Sequence, residues 1–490
     1  MAINRNFIVK QGIQVGANAT SINTWSSNSY ISNKNDVLST PSLSLDFSKG
    51  FMDSRVKSLR ASSASYLAAN GKIVVVGNNI PRIEHHILSK QCLGLVAEEQ
   101  RTNTAWYSDV EGAVGAQPRV FFSAGIWPDQ GPTVSTDVWI GPNKQSARHV
   151  RGSTGGGDNN VGYLGQFIPT ANNTTYTFSV YVYIPSTALV QLCNISFETG
   201  TLTLNPNPNV SANLQIRDQW QRLTGTCLVT AGVNGSNYAV PVLRTDPIGA
   251  VVYTDCWQIE QGEYASTWIP TTNVLSATRT SDFNFITPIR DSVFNPSQFS
   301  VLVEAIPKWT ANSLVNSAIN SSNVHTGSGN RHVWGLDWAT GPSTQFGGTP
   351  YNGYGVQMNA GATGALLTNS REYGNTTPGA ANSGTARFVQ IIGAGYSYNT
   401  FVANTLIRTA TTIGAANTTM VLNGNTASIA DINATNVNGV YSNTIYVDRL
   451  LIGVGVTGGV PSLEFGGNIR KLSLFPKILS NNEITALSEI

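Results

Sequence analysis

Apolar and polar residues alternate with a period of two along much of this chain, and almost nowhere with the 3.6-residue period of a helix. The cleanest run starts at Tyr176. Tyr176, Phe178, Val180, Val182 and Ile184 point one way, Thr177, Ser179, Tyr181 and Tyr183 the other, and Pro185 stops the pattern. It predicts a half-buried strand. Residues 220–224 and 251–259 predict further strands of the same kind. A second series opens at Phe299, with Phe299, Val301, Val303 and Ala305 on one face and Ser300, Leu302 and Glu304 on the other. It continues through 387–392, 445–452 and the segment from Gly467. Short strands at this spacing predict antiparallel sandwiches.

Two local signals punctuate the pattern. Asn70-Gly71 lies between the β-prone runs 65–68 and 73–76, which predicts a hairpin with a type I′ turn, both central residues at positive φ. At the other end, Ser480 and Glu483 form a capping box, with Leu479 and Ile484 at the hydrophobic-staple positions. One short helix is predicted there, burying Ile484 and Leu487.

Composition narrows the functional classes. A length of 490 residues allows about three domains. Only 11% of residues are charged and the net charge is +2, which argues against the clustered basic face of a nucleic-acid binder. No apolar run reaches the ~18 residues of a membrane span, and the first residues lack the apolar core of a signal peptide, so assembly in a cytoplasm is expected. Cys92, Cys193, Cys227 and Cys256 are widely spaced without C-x-x-C. Buried free thiols are expected, with a Cys193–Cys227 bridge as the alternative.

Several strings carry a resemblance. Arg60-Ala61-Ser62, Ala64, Tyr66, Asn70-Gly71, Pro81-Arg82, Gly94-Leu95, Glu99 and Thr102-Asn103 resemble a segment recurrent in bacteriophage virion proteins, where it precedes a jelly-roll module. Residues 258–271, with Gln258, Glu260, Gly262, Ala265, Ile269, Pro270 and Thr271, are similar to the ending of such modules. Thr278-Arg279 with Asp282 resembles the string that follows. The opening residues resemble short β repeats of large cyanobacterial-phage structural proteins. A final strand, a proline and the turn from Leu479 to Ile484 resemble the end of concanavalin-A-like (laminin-G-like) lectin domains. The resemblance implies an all-β chain of tandem antiparallel sandwiches. Its parts are an arm at 1–40 that attaches to the virion or oligomerises, a hairpin connector at 41–105, a jelly roll at 106–275, a linker at 276–294 and a concanavalin-A-like sandwich at 295–490.

No constellation of catalytic residues stands out. Hydrolase, metalloprotease and phosphate-loop motifs are missing from the sequence. Glu98 and Glu99 are neighbours and face apart if extended, as are His85 and His86, so neither pair makes a site on one face. No metal and no cofactor are expected. Sugar binding needs exposed aromatic faces beside polar side chains. Trp334, Trp338, Tyr351 and Tyr354 are the candidates, the two tyrosines the better ones because they lie among glycines. Trp334 and Trp338 share a face with Leu336 and have the pattern of core residues. The expected role is a non-enzymatic virion protein, a tail fibre or baseplate appendage that contacts host surface glycans. It would be homotrimeric, as fibre-like proteins usually are, with other virion proteins as partners through its arm. A capsid decoration or head fibre is the alternative, and a surface-polysaccharide depolymerase the second.

Overall fold

The computed structural model describes residues 40–105, 108, 133–150, 174–198, 210–230, 238–271, 276–289, 298–309, 403–413, 449–457 and 464–488, and individual strands elsewhere. The protein is all-β, with antiparallel pairing throughout the described ladders and a single described α-helix, Asn481–Ser488. The chain divides into two compact units. One holds Ser58–Asp282 with Ser313–Gly327; the other holds Met1–Lys57, Phe283–Asn312 and Ser328–Ile490.

The Ser58–Asp282 unit is a sandwich. Its larger sheet runs in the order Thr133–Ser135, Ser146–Val150, Val251–Gln261, Thr174–Tyr183, Trp220–Thr230, Thr203–Asn205. The smaller orders Gly162–Gly165, Tyr238–Asp246, Leu192–Glu198 and Val210–Ser211, and Ile168–Pro169 also pairs with Tyr238–Asp246. Apart from the pair Thr133–Ser135 and Ser146–Val150, neighbours in these sheets are not consecutive in sequence, as a jelly roll requires. The inner faces interdigitate as the alternation dictates. Phe178, Val180 and Val182 meet Cys193, Ile195 and Leu243 from the facing sheet. Trp257 lies against Phe178 with ring centroids 5.3 Å apart.

The strand Thr174–Tyr183 departs from expectation on its other face. Residues 176–182 are all buried, so the strand is covered on both sides. The cover comes from the segment expected to be a connector. Leu67 and Ile73 of the hairpin pack with Tyr181, Trp220 and Trp268 in a second apolar cluster. Residues 58–105 are thus part of this unit.

The hairpin itself forms, with Ala64–Leu67 paired to Ile73–Val76. Its turn is not type I′. Gly71 N–H donates to the Ala68 carbonyl at 2.9 Å and Ala68 N–H to Lys72 at 2.9 Å, while Gly71 alone has positive φ, +77°. This is a three-residue loop, a type I turn closed by a left-handed glycine. Asn70 serves it through its side chain, whose Oδ1 accepts the Lys72 N–H.

In the other unit the strand Phe299–Pro307 is buried at every position. It pairs with Ile407–Ile413 on one side and Gly467–Phe475 on the other, and Leu43–Asp46 extends the sheet beyond Gly467–Phe475. A second sheet orders Ile429–Asp431, Arg387–Ile391, Leu366–Glu372, Tyr354–Ala360, Asn330–Asp337, Arg449–Ile452 and Phe283–Ile286. Phe299 of the first sheet contacts Trp334 of the second, edge to face at 6.2 Å. Glu304, 2% exposed, is held by Arg408 at 2.8 Å and Lys471 at 3.5 Å. The stretch 276–294, expected as a linker, contains the strands Ala277–Arg279 and Phe283–Ile286.

The closing helix follows the predicted mechanism. Ser480 N–H donates to Glu483 Oε2 at 2.7 Å, and Glu483 N–H returns to Ser480 Oγ at 3.3 Å. Leu479, Ile484 and Leu487 pack onto Leu302, Ala410, Val421 and Phe475. At the start of the chain Phe7–Val9 and Ile13–Val15 pair as a short ladder.

Candidate functional site

The strings that stood out in the sequence converge on one buried ionic cluster. Arg60 Nη1 meets Asp282 Oδ1 at 2.9 Å. Arg82 bridges Asp282 and Glu98. Arg279 reaches Glu98 Oε2 at 2.5 Å. All five side chains are at most 2% exposed. Glu98 also accepts the Thr267 amide at 2.8 Å and hydroxyl at 2.7 Å. Beside it Glu99 pairs with Arg101 and accepts the Tyr264 hydroxyl. A Cβ at Gly262 would collide with the Arg101 guanidinium, so glycine makes room for that ion pair. Asn103, fully buried, uses its side chain four times. It donates to the Trp257 and Ile269 carbonyls and accepts from the Ala105 and Ile259 amides. Glu98, Glu99 and Asp282 are each held by at least one arginine, so the cluster clasps the two ends of the unit and leaves none of the three free for acid–base chemistry, while Nε of Arg82 and of Arg279 makes no hydrogen bond among the described residues.

The remaining sequence candidates fall as follows. His85 Nδ1 lies 3.3 Å from the Leu67 carbonyl, and His86 is exposed with its Nδ1 receiving the Ser89 N–H at 3.2 Å. Among the described residues no three His, Cys, Asp or Glu side chains group as metal ligands. All four cysteines are buried free thiols, so the Cys193–Cys227 bridge is not formed. Burial pushes the Cys193 and Cys227 thiols up to about 12. Trp334 is fully buried against Phe299 and is corrected from sugar-binding candidate to core. A β-bulge between His332 and Trp334 resets the alternation there, and Val333 is as buried as Trp334. Tyr354 begins the strand Tyr354–Ala360. Trp338 and Tyr351 lie outside the described residues, as does the side chain of Tyr354.

The arrangement best suited to a ligand lies on the outer face of the larger jelly-roll sheet. Cross-strand partners share a face. Thr133 pairs with Arg148, Arg148 with Tyr253, Tyr253 with Tyr183 and Tyr183 with Trp220, so five adjacent strands carry one row. Tyr183 and Tyr253 are partly exposed, while Trp220 behind them is 8% exposed. The rings of Tyr183 and Tyr253 meet at 81° with centroids 6.0 Å apart, which makes a corner rather than a flat platform. Trp220 backs Tyr183 at 5.5 Å.

Asp218 closes one end. Its Oδ1 accepts the Ser186 N–H at 2.9 Å and faces the Tyr183 hydroxyl at 3.3 Å. Hydrogen bonds from Ser186 hold Asp218 below the usual carboxylate range, and partial burial beside Asp218 pushes the Tyr183 phenol up. The corner therefore offers an ionised acceptor, a neutral phenol and two aromatic surfaces. It can stack an apolar ring face and accept hydroxyl protons. Trp139, also partly exposed, is a poorer surface, because the Lys72 ammonium sits 3.7 Å over its ring. Sequence reading passed over Tyr183 because alternation assigned it only to the opposite face of a strand. Its partners depend on register, and a bulge where Cys256 adopts φ +54° sets that register.

Two residues along the strand from Tyr253, Asp255 accepts the amides of Ile140, Gly141 and Cys256 at 2.7–3.2 Å. Burial pushes its carboxyl up to about 7 despite those bonds. The folded state therefore holds a proton that the unfolded chain releases near pH 4. The stabilisation is complete below that value and is lost as pH rises through about 7. Asp255→Asn is expected to lower the urea midpoint of this unit more at about pH 5 than at about pH 8. Equal losses at both would show that the carboxyl is ionised throughout.

No family model matches the chain, and no curated protein matches it. Among solved structures it is similar to the Ruminococcus gnavus IT-sialidase CBM40 bound to alpha2,3 sialyllactose, at 13% identity, with 40% of this chain and 83% of that chain covered and a TM-score of 0.24. It is similar to a Family 16 Carbohydrate Binding Module-2 at 16% identity, with 32% and 99% covered and a TM-score of 0.23. It is also similar to the NanB sialidase from Streptococcus pneumoniae at 11% identity and a TM-score of 0.27, spanning 26% of that chain. Likeness of this degree carries no functional argument. Among the described residues no helix is long and apolar enough to cross a membrane.

Proposed function

We propose that this protein is a non-enzymatic bacteriophage appendage protein that holds host surface glycans at the Tyr183–Tyr253 corner of its jelly-roll sandwich. The observation that carries the glycan reading is the corner itself, two partly exposed rings at 81° between Asp218 and Arg148. A pyranose presents an apolar C–H face to one ring while its hydroxyls reach Asp218. The virion assignment is supported by the phage-type strings, from which Arg60, Arg82, Glu99, Arg279 and Asp282 meet in the clasp. In this reading residues 1–40 dock a homotrimer to other virion proteins, and weak single sites act together by multivalency.

The test is retention of the full-length protein on a panel of immobilised bacterial surface glycans. The double variant Tyr183→Ala/Tyr253→Ala is expected to lose about tenfold or more in apparent affinity when assayed well below its own thermal midpoint, which falls because both rings pack against the cluster around Trp220. A wild-type protein that retains no glycan, or a double variant that binds as well as wild type, would sink the reading. Labelling of purified virions with an antibody to this protein distinguishes tail from capsid.

A further inference from the structure

The end of the aromatic row opposite Asp218 is Arg148. Its strand partners are Thr133 at the sheet edge and Tyr253 within it. On the same strand Ala147 points into the sandwich core, so Arg148 faces outward with Tyr253. The side chain is neither buried nor fully exposed. Most of the unit's other described arginines are tied down. Arg60, Arg82, Arg101 and Arg279 have carboxylate partners, Arg217 donates to four backbone carbonyl contacts, and Arg222 donates to Ser179 and Ser266. The guanidinium of Arg148 makes no hydrogen bond and no ion pair among the described residues. A planar fork of donors is thus carried on the strand next to that of Tyr253, directly opposite it and about 5 Å away from backbone to backbone.

We infer that the corner is built for an acidic sugar of the uronate class, whose ring lies against Tyr253 and Tyr183 and whose carboxylate is taken by Arg148. The inference rests on the glycan reading above and assigns its ligand a charge. A carboxylate accepts two parallel N–H bonds from a guanidinium, which adds direction as well as energy. Asp218 stands against the hydroxyl of Tyr183, whose strand is two over from that of Arg148, so the ligand's acid group is steered to the Arg148 side and its neutral hydroxyls to the other.

The experiment compares uronate-containing oligosaccharides with the same compounds after carboxyl reduction, using full-length wild type, Arg148→Gln, Arg148→Lys and Tyr183→Ala at low ionic strength. Wild type is expected to bind the acidic form about tenfold more tightly than the reduced form. Arg148→Gln is expected to bring the ratio of affinities for the acidic and reduced forms down to about one. Arg148→Lys, which keeps the charge without the fork, should restore part of it. Tyr183→Ala should weaken both forms. If wild type binds both forms equally, or Arg148→Gln loses both forms equally, the charge assignment fails and the glycan reading stands. If wild type binds no member of either set, both fall.

Discussion

Replacing Glu98 with alanine is expected to destabilise the Ser58–Asp282 unit by about 3–5 kcal/mol, the cost of leaving buried charges without their partner. Glu98 is fully buried and holds Arg82 and Arg279 at once, together with the amide and hydroxyl of Thr267. Removing it leaves Arg60, Arg82 and Arg279 facing the single carboxylate of Asp282. For a unit of this size the calorimetric midpoint should fall by about 6–20 °C. Arg82→Leu removes a cation instead, and still leaves Arg60 with Asp282 and Arg279 with Glu98. It should cost less. Combining Glu98→Leu with Arg82→Leu should then cost less than the two single changes added together, because each relieves a charge the other strands. Additive losses would show that the two side chains contribute only through packing. The reach of the cluster explains why a polar device sits here. Arg60 and Arg82 contact Asp282 across 222 and 200 residues of chain, and only oppositely charged groups in fixed geometry satisfy one another there.

How much of this was legible beforehand differs from element to element. The strand Thr174–Tyr183 and the cap at Ser480 and Glu483 follow from local rules, because period-two alternation and a capping box need no distant partner. The turn at Asn70-Gly71 was half legible. The dipeptide marks the reversal, but loop length decides the turn type, and only Gly71 needs the left-handed region. The burial of Tyr181 was not legible, since its cover comes from Leu67 and Ile73, more than a hundred positions earlier. The candidate site lay in the same blind spot. Arg148, Tyr183 and Tyr253 are spread over about a hundred residues, and only register brings them into one row. Exposed-aromatic reasoning pointed instead to the aromatic pattern of Trp334, Trp338, Tyr351 and Tyr354 in the other unit, with the two tyrosines preferred because they lie among glycines.

That pattern supplies the second large effect. Trp334→Ala is expected to destabilise its sandwich by about 3–5 kcal/mol, as removal of a buried tryptophan does in a core that cannot collapse to fill the space. Trp334 is fully buried, meets Phe299 edge to face at 6.2 Å and lies in the strand Asn330–Asp337 between Tyr354–Ala360 and Arg449–Ile452. Its indole Nε1 is buried without a hydrogen-bond partner among the described residues. Trp334→Phe keeps an aromatic ring and sheds that unsatisfied donor, so it should cost about 2 kcal/mol less than the alanine change. Thermal unfolding of the full-length variants reads both differences, and retention on the glycan panel reads the alternative role. A sugar-stacking tryptophan would lose binding in the alanine variant with an unchanged midpoint. A core tryptophan loses its midpoint first, while binding at the Tyr183–Tyr253 corner persists at temperatures where that sandwich remains folded.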